Sequence, residues 1–420
     1  MYCAYLFFND VDPGSLLRPR LKKLRRYNYL QHYAFITFLL LMPSIYDTDA
    51  LALHKTYKGK LGVTSKVPLE SRDDLSLAYT PGVAAPCLEI AANPEKAYAY
   101  TRKSNSVAVI SDGSAVLGLG NIGGIAGLPV MEGKAILMKG FADIDAIPLV
   151  LSTQDPDGII RLVEAVAPTF GAINLEDIAA PQCFYIEEEL QKRLNIPVFH
   201  DDQHGTAIVI LAALINALKL TGKSLETIKI VIAGAGAAGI ATANLLVHAG
   251  ARHLILTDSN GIVGSQRTDL NKYKDLLKQW NSRCDQGDLA DALVGADLFI
   301  GVSKPNIVTS KMVASMANQP MIFALSNPNP EITLEDAKAG GAYIFASGRS
   351  DIPNQINNLL AFPGILRGAL DARVSQITMD HKYRASQALA AYVINPQVDQ
   401  LLPNPLDKEV ARIVAGVFSI

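Results

Sequence analysis

The chain has only four cysteines in 420 residues: Cys3, Cys87, Cys183 and Cys284. They are too few and too scattered for a disulfide framework or a Cys-x-x-Cys metal site, so ordinary buried thiols in a reducing cytoplasm are expected. A basic excess is also missing, since 38 lysines and arginines face 40 acids for a formal net charge of -2. Without a positive balance to neutralise phosphates, and without a nucleic-acid motif spacing, nucleic acid is excluded as a partner. A membrane partner is excluded in turn, because the apolar stretch at residues 34–42 falls far short of the ~20 residues a bilayer span needs. That stretch follows a basic patch at residues 18–26 in the order of a signal peptide, but no small-x-small cleavage site follows it. Residues 1–41 are therefore read as a non-core extension.

What remains is 49% apolar and long enough for two or three domains. Short apolar runs at 107–110, 147–151 and 196–200 alternate with helical stretches such as 186–194. This is the βα rhythm of a mostly parallel sheet, hence an α/β fold. A long apolar helix is expected over 206–220, ending at Gly222. Strands at 228–234, 253–258, 297–303 and 321–328 then build a second α/β unit. The expected division is 42–205 for a substrate domain and 206–420 for a dinucleotide-binding one.

The loop at 234–239, Gly-Ala-Gly-Ala-Ala-Gly, follows a β-branched strand and precedes a helix. Gly234 permits a tight turn, Gly236 lets pyrophosphate approach the backbone, and Gly239 lets helix and strand pack closely. With Ala237 and Ala238 they open a helix whose N-terminus favours negative charge. Asp258 ends the next strand at the spacing expected for a ribose-binding acid, which makes this a Rossmann-type doubly wound site. A carboxylate there repels a 2′-phosphate, and Ser259, Asn260 and Gly261 offer no cation to hold one. NAD is favoured over NADP, with Arg267 and Lys272 as the side chains whose folding back would defeat the argument. Ser303 and Asn327, at later strand ends, are assigned to the same crevice.

Two acidic pairs, Glu176-Asp177 and Asp201-Asp202, end apolar runs just upstream of this loop. Each pair alone reads as a helix cap or a solvated turn. Together, beside a cofactor loop, they suggest hard-oxygen ligands for Mg²⁺ or Mn²⁺.

The stretches LAYTPGVAAPC, VISDGSAVLGLGNIG, PVMEGKAILMK, NLEDIAAP, FHDDQHGTA, LSNP and NNLLAFPG, in this order, resemble malic enzyme of the small, prokaryotic-type class. The resemblance covers the chain from about Met42 onward. It implies oxidative decarboxylation of L-malate to pyruvate and CO₂ with reduction of NAD(P)⁺, a divalent cation, and a homodimer. Carried onto this chain, it makes Glu176, Asp177 and Asp202 the metal ligands, with Asp201 as an auxiliary group. It makes Lys134 the base and Tyr79 the acid, hydrogen-bonded to each other, and gives Asn327 and Asn358 to the substrate. Larger relatives carry an arginine where this chain has Ser114-Ala115, so backbone N–H groups around 118–124 are expected to take over as an anion nest. Two other readings stay open: a malolactic-type or oxaloacetate-decarboxylating enzyme, and a catalytically silent dinucleotide-binding protein.

Overall fold

The computed structural model describes residues 46–281 and 286–419. The extension assigned to 1–41, Cys3 and Cys284 lie outside the described residues. By its packing the chain divides into two units, Met1–Gly59 and Lys60–Ile420. Among the described residues of the first, helix α1 (Asp47–Tyr57) ends where Lys58 turns left-handed at φ 54°.

The second unit contains two sheets. Strands β1 (Ser106–Ser111), β2 (Asp145–Val150), β3 (Ala172–Leu175) and β4 (Val198–His200) form a fully parallel sheet in the order β2-β1-β3-β4. Strands β5 (Lys229–Ala233), β6 (His253–Asp258), β7 (Gly261–Ile262), β8 (Leu298–Gly301), β9 (Met321–Ala324) and β10 (Ile344–Ser347) form the second, in the order β10-β9-β8-β5-β6-β7. Only the β6–β7 pair is antiparallel. The central strands are buried along their whole length, as parallel strands covered on both faces must be, so they read as continuous apolar runs.

Helices α2 (Arg72–Ala78) and α3 (Ala84–Ala92) precede the first sheet. Ser71 caps α2 in a reciprocal capping box with Asp74. No side chain between residues 60 and 105 is buried. A folded segment rich in Leu, Val and Tyr with no buried face lacks the apolar packing that normally stabilises short helices.

Six further helices surround the site. Helix α4 (Gly124–Ala142) lies against β2, and Gly124 is required there because a Cβ would sit 2.5 Å from the Leu151 carbonyl oxygen. Helix α5 (Gln182–Arg193) packs on β4. Helix α6 (Asp201–Thr221) starts without a gap after β4. Among the described residues it alone is long and apolar enough to cross a bilayer, but 61% of its most apolar window is buried in the protein. Its partners are α7 (Ala237–His248) and α9 (Met379–Tyr392), while α8 (Phe362–Ala372) returns to pack against α4 and β3. The start of α6 falls five residues before the expected 206, because Asp201 and Asp202 occupy its first turn, where the helix dipole favours acids.

Candidate active site

Strand ends and helix starts bring the acids together. Glu176 and Asp177 follow β3 directly, and Asp202 lies one residue into α6. One carboxylate oxygen from each of Glu176, Asp177 and Asp202 lies within 4.8 Å of the others. Asp177 takes a left-handed backbone (φ 53°), which aspartate tolerates better than most residues. Its N–H donates to Asp202 Oδ2 at 2.9 Å, and its carbonyl accepts the Ala115 N–H at 3.0 Å. Ser114 Oγ accepts the Ala179 N–H at 2.8 Å and donates to Asp112 Oδ1 at 2.6 Å. The turn after β1 thereby clamps the loop that carries two of the acids.

Burial, then the neighbouring charges of Asp202 and Glu176, pushes the Asp177 carboxyl up to about 8. Burial likewise raises Glu176, although Lys134 opposes it. Asp177 Oδ2 is buried and has no partner among the described residues. Crowded, dehydrated hard oxygens that repel one another, one of them unsatisfied, are chemically suited to Mg²⁺ or Mn²⁺.

Lys134 is carried on the buried face of α4 between Met131 and Met138 and is only 8% exposed. Its Nζ donates to Asp201 Oδ2 at 2.7 Å and lies 2.9 Å from Glu176 Oε1, with the Phe362 ring centroid 4.2 Å away. Burial favours the neutral amine, but the Asp201 and Glu176 carboxylates outweigh it and hold the ammonium above the usual lysine range. In the chain alone, its two counter-ions keep the side chain charged. Asp201 itself is pushed up to about 8 by burial, against the pull of Lys134. Asn358 Nδ2 donates to the same Asp201 Oδ2 at 2.7 Å, whereas Asn357 caps its own turn by accepting the Leu359 N–H. Asn358 is thus the amide that faces the acids.

Tyr79 is not placed with them. It is 67% exposed at the end of α2, and its hydroxyl has no partner among the described residues, so the expected Tyr79–Lys134 hydrogen bond is not made within one chain. The anion nest is also curtailed, since the Ile122 and Gly123 N–H groups both donate to the Gly113 carbonyl at 3.1 Å.

The dinucleotide loop leads from β5 into α7 as its glycines require. Gly234 has φ 119°, and a Cβ there would lie 2.5 Å from the Val302 carbonyl oxygen. A Cβ on Gly239 would lie 1.7 Å from the Gly234 carbonyl oxygen, while one on Gly236 meets nothing within 4 Å. A cavity of about 750 Å³ opens beside this loop, lined among others by Gly234, Gly236, Asp258, Ser303, Lys274 and Ala180. Ala180 belongs to the loop bearing Glu176 and Asp177, so the cavity reaches toward the acids. Ser303 and Ser326 donate their N–H groups to the buried Glu331 at 2.9 and 3.1 Å. Asn327 is exposed at the end of β9, where its carbonyl oxygen would lie 2.4 Å from a Cβ on Gly118.

The contrast between the glycines gives a test. Gly239→Ala is expected to destabilise the fold by about 1–3 kcal/mol through overpacking. Gly236→Ala should leave stability within about 0.5 kcal/mol and weaken dinucleotide binding at least ~10-fold by blocking pyrophosphate approach. Thermal unfolding together with calorimetric titration of the dinucleotide separates the two effects.

Asp258 is not the bare carboxylate that the cofactor argument assumes. Arg267 grips it with Nη1 to Oδ1 at 3.1 Å and Nη2 to Oδ2 at 3.3 Å, and Lys274 Nζ reaches Oδ2 at 2.8 Å. Burial would raise its carboxyl, but these cations hold it below the ordinary range. Lys272 stays away, near Glu188 and over the Tyr273 ring.

The family model for the malic enzyme N-terminal domain matches residues 58–191, and that for the malic enzyme NAD binding domain matches residues 203–417. The chain belongs to the malic enzyme family. It is 54% identical to the bifunctional malic/malolactic enzyme of Bacillus subtilis, over 87% of this chain and 90% of that one. It is 50% identical to the NADP-dependent malic enzyme of Halomonas elongata, covering 86% and 85% of the two chains. The crystal structure of the NAD-dependent malic enzyme of Thermotoga maritima superposes with a TM-score of 0.85 at 48% identity, over 88% of this chain and 98% of that one. The two sheets are accordingly the α/β substrate domain and the Rossmann-type NAD-binding domain of a malic enzyme.

Sequence reasoning missed several groups in this malic enzyme site. Asn174 Nδ2 donates to Glu176 Oε2 at 2.8 Å, and the two-residue spacing that puts two side chains on one face of extended chain was available as a signal. Phe362 under Lys134, Ser114 under the acid loop and Glu331 under Ser303 are products of tertiary packing.

Proposed function

We propose that the protein oxidatively decarboxylates L-malate to pyruvate and CO₂ by way of oxaloacetate, with Mg²⁺ or Mn²⁺ and with NAD⁺ as the preferred oxidant. The observation that supports this best is the meeting of Glu176, Asp177 and Asp202 with the Lys134–Asp201 pair beside the dinucleotide cavity. A cation held by the three acids would polarise the malate C2 oxygen as a Lewis acid. NAD⁺ would take the C2 hydride.

The remaining work falls to the chain's own groups. With Glu176 committed to a cation, Asp201 is the last counter-ion of Lys134, and the 2.7 Å contact lets a proton pass from Nζ to Oδ2. Lys134 Nζ then takes the C2 hydroxyl proton as hydride departs. Asn358, already bonded to Asp201 Oδ2, orients that carboxylate and directs its amide toward the substrate. Tyr79 supplies the proton to C3 of the enolate after CO₂ leaves. Malate-dependent absorbance at 340 nm with Mn²⁺ and NAD⁺, abolished by chelation and restored by Mn²⁺, is the expected result. Metal-independent turnover would contradict the assignment.

Tyr79 acts, in this reading, in the site of a second copy of the chain. Its exposure, and the exposed Leu61, Val63, Leu69, Leu75 and Leu77 on the same unburied segment, support a homodimer that covers this face. Light scattering at micromolar concentration should give twice the chain mass. A monomer there would contradict it.

For the cofactor, Asp258 can accept ribose hydroxyls, while Arg267 and Lys274 soften its repulsion of a 2′-phosphate. NAD⁺ is expected to be preferred by about tenfold in kcat/KM, and Arg267→Ala or Lys274→Ala to widen that preference by weakening NADP⁺ use. Kinetics with both dinucleotides check this, and a wild-type preference for NADP⁺ would remove the Asp258 argument.

A further inference from the structure

Against the turn that carries Asp201 and Asp202 sits a carboxylate that the proposed chemistry does not use. Glu187 lies on the buried face of α5 with Cys183, Phe184, Ile186 and Leu190. It is only 6% exposed, in a place where an apolar side chain would pack at less cost. Its oxygens accept three donors, all from the residues that bracket Asp201 and Asp202. Oε1 accepts the His200 N–H at 3.0 Å, and Oε2 accepts Gln203 Nε2 at 3.0 Å. His204 Nε2 lies 3.0 and 2.9 Å from the two oxygens.

These partners are the residue just before the aspartate pair and the two just after it. Glu187 therefore bridges the end of β4 and the first turn of α6, on either side of Asp202. His200 stands at the N-cap position without a side-chain cap bond, and its fully buried ring has no hydrogen-bond partner among the described residues. Helix starts without a cap leave backbone N–H groups unsatisfied and fray. The contact with His204 and the nearby buried Lys382 of α9 hold the Glu187 carboxyl below the ordinary carboxylate range against the cost of burial.

We propose that Glu187 is a positioning residue for the divalent cation: it locks the His200–His204 turn so that Asp202 meets Glu176 and Asp177 in a preformed ligand set. This rests on the metal reading given above. Groups that orient metal ligands from behind typically alter metal affinity by about 10- to 100-fold when replaced.

The test is Mn²⁺ binding to the metal-free full-length chain, read from the electron paramagnetic resonance signal of free Mn²⁺, with unfolding temperature measured in parallel. Glu187→Gln keeps the size but turns an NH₂ toward Gln203 and His204, and is expected to weaken Mn²⁺ about 10- to 100-fold. Should that variant fail to fold, His204→Ala removes one arm of the bridge and is expected to weaken Mn²⁺ about 10-fold, while His204→Gln, which keeps a donor, recovers most of the loss. Glu188→Gln, the next residue along and exposed on the same helix, should bind as the wild type does. A carboxylate with a merely structural role would lower the unfolding temperature and leave the Mn²⁺ affinity of the folded chain unchanged. Wild-type uptake that is lost in Asp202→Ala but unchanged in Glu187→Gln and His204→Ala overturns this inference alone. A wild-type chain that takes up no Mn²⁺ overturns the metal reading and this inference with it.

Discussion

Asp202→Ala is expected to lower kcat/KM for malate by at least ~10³-fold, because it removes the acid that ties the two ligand-bearing elements together as well as one charged oxygen. Asp202 Oδ2 accepts the Asp177 N–H, so its loss also frees the left-handed turn on which Asp177 depends. Glu176→Ala should act similarly but with a second consequence, since it deletes one of the two counter-ions of Lys134. Both variants should remain folded, since they relieve repulsion among crowded acids, and saturating Mn²⁺ should recover little of the loss. Steady-state kinetics over a Mn²⁺ series measures this, and near-normal turnover at low Mn²⁺ in either variant would remove the metal assignment.

The second large effect concerns the proton-handling pair. Lys134→Ala is expected to lower kcat by about 10²–10⁴-fold, the usual range for loss of a general base. It also leaves Asp201 buried without its cation, so Asp201 should bind a proton and stop taking part. Tyr79→Phe should spare hydride transfer and slow the later protonation of the enolate, with enolpyruvate tautomerisation as its readout. If Tyr79 serves the partner's site, co-folding the two impaired variants yields heterodimers in which one site pairs Lys134 of the first chain with the intact tyrosine of the second. Activity should then return to about one quarter of wild type, since half of the chains pair in hetero fashion and each such dimer has one complete site. Absence of any recovery would place Tyr79 in its own chain's site.

Much of the scaffold was legible because parallel strands buried on both faces leave continuous apolar runs, as at 107–110, 229–233 and 298–301. Strand β3 was harder: four residues, one of them Asn174, carry too little pattern to separate from a loop. The acids could be named from their order, but not their electrostatics. Lys134 is charged because α4 delivers it between two carboxylates from other elements, a fact of tertiary placement. Glu187, Glu188 and Glu189 look alike in sequence, and only the register of α5 sends the first inward and leaves the second exposed. Arg267 and Lys274 reach Asp258 because the chain reverses at Gly261 (φ 101°) into β7, which linear distance does not reveal. Tyr79 could be named from its motif but not placed, since its side chain is exposed and makes no contact with Lys134 within the chain.

The most direct measurement of the central claim is product stoichiometry from L-malate with NAD⁺ and Mn²⁺. The arrangement of Lys134, Asp201 and the three acids beside the dinucleotide cavity predicts equimolar pyruvate, CO₂ and NADH, all lost together in Asp202→Ala. Lactate and CO₂ without net NADH would contradict it and assign the site to malolactic chemistry instead.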